Sequence, residues 1–238
     1  MRATLNDLDD RVVFRLHDVD PRYDQVLGQC FWQRDAQGWF RTYPAGAAHL
    51  DTVKPYFAAN AERMFAQLGY FAPIPWQEAL LAFADRVDGA DVDWWLTGSC
   101  AACIRGVPLD PHDVDIMIDS RCTTAVADRF ADVTIEPLVD TGGWLTKEFG
   151  VLFWHARIDI ASDPAAVLDQ PQPADCGPYA RQHLEEVRWK GRTFRVPPLA
   201  LQVSVNQRRG RTERAALIQA HLDSRGVTCS QSPVEEDR

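Results

Sequence analysis

The chain has 238 residues, 46% hydrophobic and 25% charged, within the range of ordinary globular proteins that bury a real core. A formal net charge of −9 argues against an extended, non-specific grip on a nucleic-acid backbone, which needs clustered Lys and Arg; the local basic cluster is Arg208, Arg209 and Arg211. Six cysteines without regular spacing, an N-terminus without an apolar leader and no run near the roughly 18 apolar residues of a membrane span together imply reduced thiols, a cytoplasmic location and no membrane partner.

In chain order, Arg11–His17 has strand-forming residues, and Cys30–Arg34 with Trp39–Tyr43 reads as a hairpin about Asp35–Gly38. Leu50, Val53, Phe57, Ala61, Met64, Phe65 and Leu68 recur at helical spacing and Gly69 is placed to end that helix. Pro73 and Pro75 then mark a soft boundary near residue 72. Trp76–Val87 is a second helix, Asp91–Thr97 a buried strand, Cys100–Arg105 a short helix. Asp113–Asp119 alternates strictly and is the clearest strand. Thr123–Phe130 reads as helix, Val133–Val139 as extended, Val151–Ile160 as one further strand, and Asp169–Pro178 as a loop. Glu185–Val196 forms a hairpin about Lys190-Gly191, and Leu199–Leu222 is helix interrupted at Gly210. The resulting organisation is an N-terminal α+β extension over 1–72, a mixed α/β domain with C-terminal helices over 73–222, and a polar tail over 223–238.

The residues with chemistry cluster after the strand that ends at Thr97. Successive side chains of a strand alternate faces, so Asp113 and Asp115 project together while Val114, Ile116 and Ile118 turn inward. Two carboxylates on one face repel, and a cation between them relieves the repulsion. Magnesium suits such a pair, because it binds one or two protein carboxylates and completes its octahedron with substrate phosphate oxygens; Mn2+ is the alternative ion. Two ions about 3.5–4 Å apart would hold attacking and leaving oxygens in line. Asp159, between Ile158 and Ile160, offers the third carboxylate; buried without a partner it would cost several kcal/mol, so it is paired or functional. Gly98-Ser99, at a strand-to-helix turn, offers backbone N–H groups and a hydroxyl to a triphosphate.

The wording Leu96-Thr97-Gly98-Ser99, followed by His112-Asp113-Val114-Asp115 and a later single Asp159, resembles the DNA polymerase β-like nucleotidyltransferase superfamily. It is similar in particular to the small bacterial branch with the aminoglycoside and lincosamide nucleotidyltransferases. The resemblance covers roughly residues 76–222, including Val196–Gln202 and Gly210–Arg214. It implies a small mixed sheet flanked by helices. It also implies transfer of a nucleoside monophosphate, with AMP the expected one, from a nucleoside triphosphate to an acceptor hydroxyl, releasing pyrophosphate. Ser99 would contact the phosphates, Asp113 and Asp115 would hold metal, and Asp159 would complete the site and act as base. Alternatives from other classes are a nucleotide-binding or interaction module without turnover, and a modifier of protein or RNA.

Other residues carry weaker signals. Arg208 and Arg211 either pair with phosphate through bidentate hydrogen bonds or decorate a helix end. Cys100 and Cys103 have the spacing of half a zinc site but no partner pair, so they read as small packing residues. His112 abuts the carboxylate pair and either orients substrate or, as is commoner for a loop histidine, is solvated; Asp119 reads as exposed or capping, and Trp144 and Trp154 as weak candidates for stacking on a base. The N-terminal Phe31, Trp32, Trp39, Phe40 and Tyr43 form either a wall of the acceptor site or a dimerising or stabilising element, which leaves a homodimer open.

Overall fold

The computed structural model describes residues 1–229, the last five by backbone only; the end of the expected polar tail, 230–238, lies outside the described residues. In chain order the elements are β1 (Arg2–Asp7), β2 (Arg11–His17), α1 (Asp24–Gln29), β3 (Gln33–Asp35), β4 (Gly38–Pro44), α2 (Leu50–Leu68), α3 (Trp76–Val87), β5 (Trp94–Thr97), α4 (Gly98–Cys103), β6 (Val114–Ile118) and α5 (Thr123–Arg129). They continue with β7 (Thr134–Asp140), β8 (Thr146–Trp154), β9 (Ala156–Pro164), α6 (Pro178–Gln182), β10 (Glu185–Trp189), β11 (Arg192–Val196), α7 (Leu199–Arg208) and α8 (Thr212–Cys229). The fold is mixed α+β, and the described chain forms two compact units: Met1–Trp95 with Pro111–Ala165, and Leu96–Asp110 with the described residues from Ala166 on.

The first unit holds two sheets. An N-terminal antiparallel sheet runs β1-β2-β4-β3, and a five-stranded mixed sheet runs β5-β6-β9-β8-β7, with β6 and β9 parallel and the β9-β8-β7 side antiparallel. Alternation in β2 sends Val12, Phe14 and Leu16 inward, each fully buried, against Val53, Phe57, Ala61, Met64 and Phe65 of α2. The same core cluster takes in Ile135, Val151 and Phe153 from the mixed sheet. Each of these side chains larger than alanine stabilises the fold by about 1.5–3 kcal/mol relative to exposure. Trp32, Trp39 and Tyr43 belong to this core, so most of the N-terminal aromatic density is buried within one chain. Phe31 is 64% exposed and meets the half-exposed Trp144 edge-on.

Two differences from the expected elements bear on the site. The expected single strand Val151–Ile160 is two antiparallel strands that turn at His155, which has φ of +66°. No Gly or Pro marks the turn. It is held from α2 instead, where Tyr56 Oη donates to the Phe153 carbonyl at 2.5 Å and Gln67 Nε2 to the His155 carbonyl at 3.0 Å. Strand β9 also runs on to Pro164 and so includes Asp163, which means that Asp159 is not its sole carboxylate. The strand β1 and the helix α1 were not expected at all: Arg2–Asp7 is rich in polar residues and forms by pairing along β2, and α1 is one short stretch containing Gly28.

In the second unit α4, α7 and α8 pack through Ala102, Val107, Leu199, Val203 and Ile218. The β10-β11 hairpin turns at Lys190-Gly191, both at positive φ. The expected loop Asp169–Pro178 is capped by Asp169, whose carboxylate accepts from the backbone N–H of Ala174 and of Tyr179. Helix α8 runs through the start of the expected polar tail, to Cys229. Among the described residues no helix is long and apolar enough to cross a membrane.

Candidate functional site

Alternation along β6 buries Val114, Ile116 and Ile118 and leaves Asp115, with Asp113 two residues earlier, on the opposite face. The parallel pairing of β6 with β9 sets Asp159 directly beside Asp115. Paired residues on neighbouring strands share a face at about 4.8 Å spacing, so the third carboxylate joins the first two. Asp113, Asp115 and Asp159 each offer a carboxylate oxygen, and these oxygens lie within 4.8 Å of one another.

Asp159 is also paired. Arg157, two residues earlier on the same face, donates from Nε to Oδ1 at 2.5 Å and from Nη2 to Oδ2 at 3.1 Å. Burial pushes the Asp159 carboxyl up to about 6, Arg157 pulls against that rise, and Asp113 and Glu136 add to it. The third Arg157 nitrogen, Nη1, lies 3.7 Å from the thiol of Cys30, which burial pushes up to about 11.

Next to this pair Glu136 of β7 is buried at 1% exposure and fully engaged. Tyr43 Oη donates to it at 2.6 Å, Trp32 Nε1 at 3.4 Å, and Arg41 forms an ion pair at 3.0 Å. A buried carboxylate persists only with such partners. Sequence reasoning missed Arg157, Cys30 and Glu136. For Arg157 the signal was present, because the alternation that separates Asp159 from Ile158 and Ile160 puts Arg157 on the Asp159 side.

Three hard oxygen donors suit a divalent cation of the magnesium kind. The Arg157 fork takes one acceptor direction of each Asp159 oxygen and leaves others available. The residues present therefore fit a metal ion held by Asp113, Asp115 and Asp159.

The remaining candidates are placed as follows. Gly98, at φ of +64°, opens α4, a conformation that favours glycine. Its carbonyl accepts from Gln202 Nε2 at 2.6 Å, and Ser99 beside it is 7% exposed. Thr97 Oγ1 donates to the Asp175 carbonyl at 2.9 Å. Arg208 directs its guanidinium to the carbonyls of Gln170, Gln172 and Pro173, bracing that loop, and Arg211 follows the left-handed Gly210 between α7 and α8. His112, expected to be solvated, is half-buried with its ring 4.2 Å from that of Tyr70 and Nδ1 3.4 Å from the Leu68 carbonyl. Asp119 is buried rather than exposed, and caps the short turn after β6 by accepting from the Arg121 N–H. Cys100 is buried, and the Cys103 thiol donates to the Leu109 carbonyl. Trp154 packs under Arg86, whose guanidinium carbon lies 3.9 Å from the ring centre.

The family profile of aminoglycoside-2''-adenylyltransferase matches residues 79–168, which contain all three aspartates. No curated protein matches the chain. Among solved structures, one similar chain is a putative nucleotidyltransferase (TM1012) from Thermotoga maritima. It is 21% identical over 62% of this chain and 92% of its own, with a TM-score of 0.47. A lincomycin-bound lincosamide antibiotic adenylyltransferase, LnuA, is 14% identical over 62% of this chain and 99% of its own, with a TM-score of 0.43. The antibiotic-resistance factor ANT(2'')-Ia is 13% identical over 64% and 88%, with a TM-score of 0.42. Through residues 79–168 this chain resembles the aminoglycoside-2''-adenylyltransferase family, and with it the nucleotidyltransferases.

Proposed function

We propose that the protein moves a nucleoside monophosphate, AMP from ATP, onto an acceptor hydroxyl and releases pyrophosphate. The observation that carries this reading is the convergence of Asp113, Asp115 and Asp159 inside the family-matched segment. In this reading the three aspartates hold Mg2+, or Mn2+ in its place, which when bound neutralises charge on the triphosphate oxygens. Gly98, Ser99 and the basic Arg208 and Arg211 serve the nucleotide. Asp159 takes the acceptor's hydroxyl proton as that oxygen bonds to the α-phosphorus and the bond to pyrophosphate breaks. Positioning supplies most of the rate enhancement in such a transfer.

The test combines the protein and Mg2+ with each of the four triphosphates. The acceptors are an aminoglycoside, the class named by the matched family, and separately a cell extract. Pyrophosphate release is measured with mass spectrometry of the acceptor. The expected result is release with ATP and an acceptor heavier by AMP, both lost in Asp113→Asn. No release with any triphosphate and acceptor would overturn the reading.

A further inference from the structure

Arg157 is a charged side chain only 4% exposed, in a chain whose other buried charges need partners to persist. Its planar fork binds Asp159 side-on through both carboxylate oxygens, at 2.5 and 3.1 Å, which fixes the carboxylate plane as well as its charge. The fork is itself held from the N-terminal side. Nη1 meets the thiol of Cys30, the residue that ends α1, and Glu136 adds a negative charge nearby. Glu136 is in turn fixed by Tyr43, Trp32 and Arg41 of the N-terminal segment. Every member of this chain of contacts lies in the first compact unit. Cys30, Trp32, Arg41 and Tyr43 all lie outside the family-matched segment 79–168.

We infer that Arg157 is a positioning residue that fixes the Asp159 carboxylate for a divalent cation, and that the N-terminal segment, through Cys30, holds Arg157 in place. The inference rests on the metal reading of Asp113, Asp115 and Asp159. A merely charge-balancing cation would serve as well in any geometry. A positioning residue needs the fork, because metal-ligating carboxylates depend on outer partners to hold their orientation. Formal charge does not oppose this role. Three aspartates and Glu136 against Arg157 and Arg41 leave the surroundings net negative, so the guanidinium does not cancel the attraction for a cation.

The test measures Mn2+ affinity by calorimetry on the full chain, alongside thermal melting. Arg157→Lys keeps the buried charge but cannot make the fork. Its Mn2+ affinity is expected to fall about tenfold, the usual effect of losing a ligand's outer partner. In an Asp159→Asn background the same substitution should add no further loss, since Arg157 acts through Asp159. Cys30→Ala leaves every charge in place and should weaken Mn2+ binding less than Arg157→Lys does, which keeps the inference testable should the lysine variant not fold. Wild-type affinity in Arg157→Lys, or an equal loss in both backgrounds, overturns the positioning role. Wild-type affinity in Cys30→Ala overturns the part given to the N-terminal segment. Wild-type affinity in both Asp113→Asn and Asp159→Asn overturns the metal reading itself, an outcome distinct from the others.

Discussion

Asp113 and Asp115 carry like charges on one strand face, and Asp159 brings a third within 4.8 Å. Without a cation this arrangement costs stability, and with one it becomes an asset. Asp113→Asn and Asp115→Asn are therefore each expected to abolish turnover while the melting temperature without Mg2+ stays equal to wild type or rises. Added Mg2+ should raise the melting temperature of wild type and not of the variants. A variant with normal turnover would take the metal site out of the reading. Another buried acid, Asp175, makes a pH-dependent prediction. Burial holds its carboxyl above the ordinary value of 3.8, against the pull of Arg209 and a hydrogen bond from Gln202. A carboxyl raised in the folded state gives up its proton later than it does in the unfolded chain. Its contribution is thus fully present below about 3.8 and is lost as pH climbs through the higher folded value. Asp175→Asn should gain stability relative to wild type between about pH 4 and pH 7, read from denaturant melts at both. An identical gap at the two pH values would show that Asp175 does not titrate as its burial implies.

At the scale of elements, the hairpin of β3 and β4 depends on Gly38. Its φ is +126°, and a Cβ there would lie 2.3 Å from the Leu16 carbonyl oxygen of β2, which the sheet holds in place. Gly38→Ala is expected to cost at least about 2 kcal/mol, from backbone strain and displacement of the ladder, visible as a lower melting temperature. Unchanged melting would mean that β2 and β4 can separate at that end. This turn was legible because Asp35–Gly38 carries turn residues between two aromatic runs. The helix Trp76–Val87 and the alternating strand β6 were legible for similar reasons, since period and boundary residues agree. The turn at His155 was not, because its cause lies in Tyr56 and Gln67, some 90 residues away, rather than in local turn chemistry. Finding it moves the start of β9 to Ala156. The site divides along the same line. The convergence of the aspartates follows from alternation within two strands, whereas the Glu136 network joins residues 93 and 104 positions apart, beyond any local pattern.

At the scale of the whole molecule, the boundary expected near residue 72 falls inside the first compact unit, Met1–Trp95 with Pro111–Ala165. Val12, Phe14, Trp32, Phe57 and Phe65 share one core with Ile135, Val151 and Phe153. Trp32 stacks on Phe57 with ring centres 5.7 Å apart, and Phe14 meets both Tyr43 and Phe57 at 4.8 Å. Removing the chain before Pro73 would expose the mixed-sheet half of that core. It would also strip Glu136 of Tyr43, Trp32 and Arg41, the residues that hold it. A domain's whole stability is about 5–15 kcal/mol, and each large apolar side chain returned to water forfeits about 1.5–3 kcal/mol, so loss of the shared core exceeds what such a protein can absorb. The chain starting at Pro73 is therefore expected to lack a cooperative thermal transition and to lose Mg2+-dependent triphosphate binding in calorimetry along with acceptor modification. Loss of acceptor modification alone, with cooperative melting and triphosphate binding intact, would instead make the N-terminal segment a wall of the acceptor site. A change confined to oligomeric mass would make it an interface between copies. The buried Glu136 network argues for the first outcome, because Glu136 lies after residue 72 while Trp32, Arg41 and Tyr43, which hold it, all lie before it.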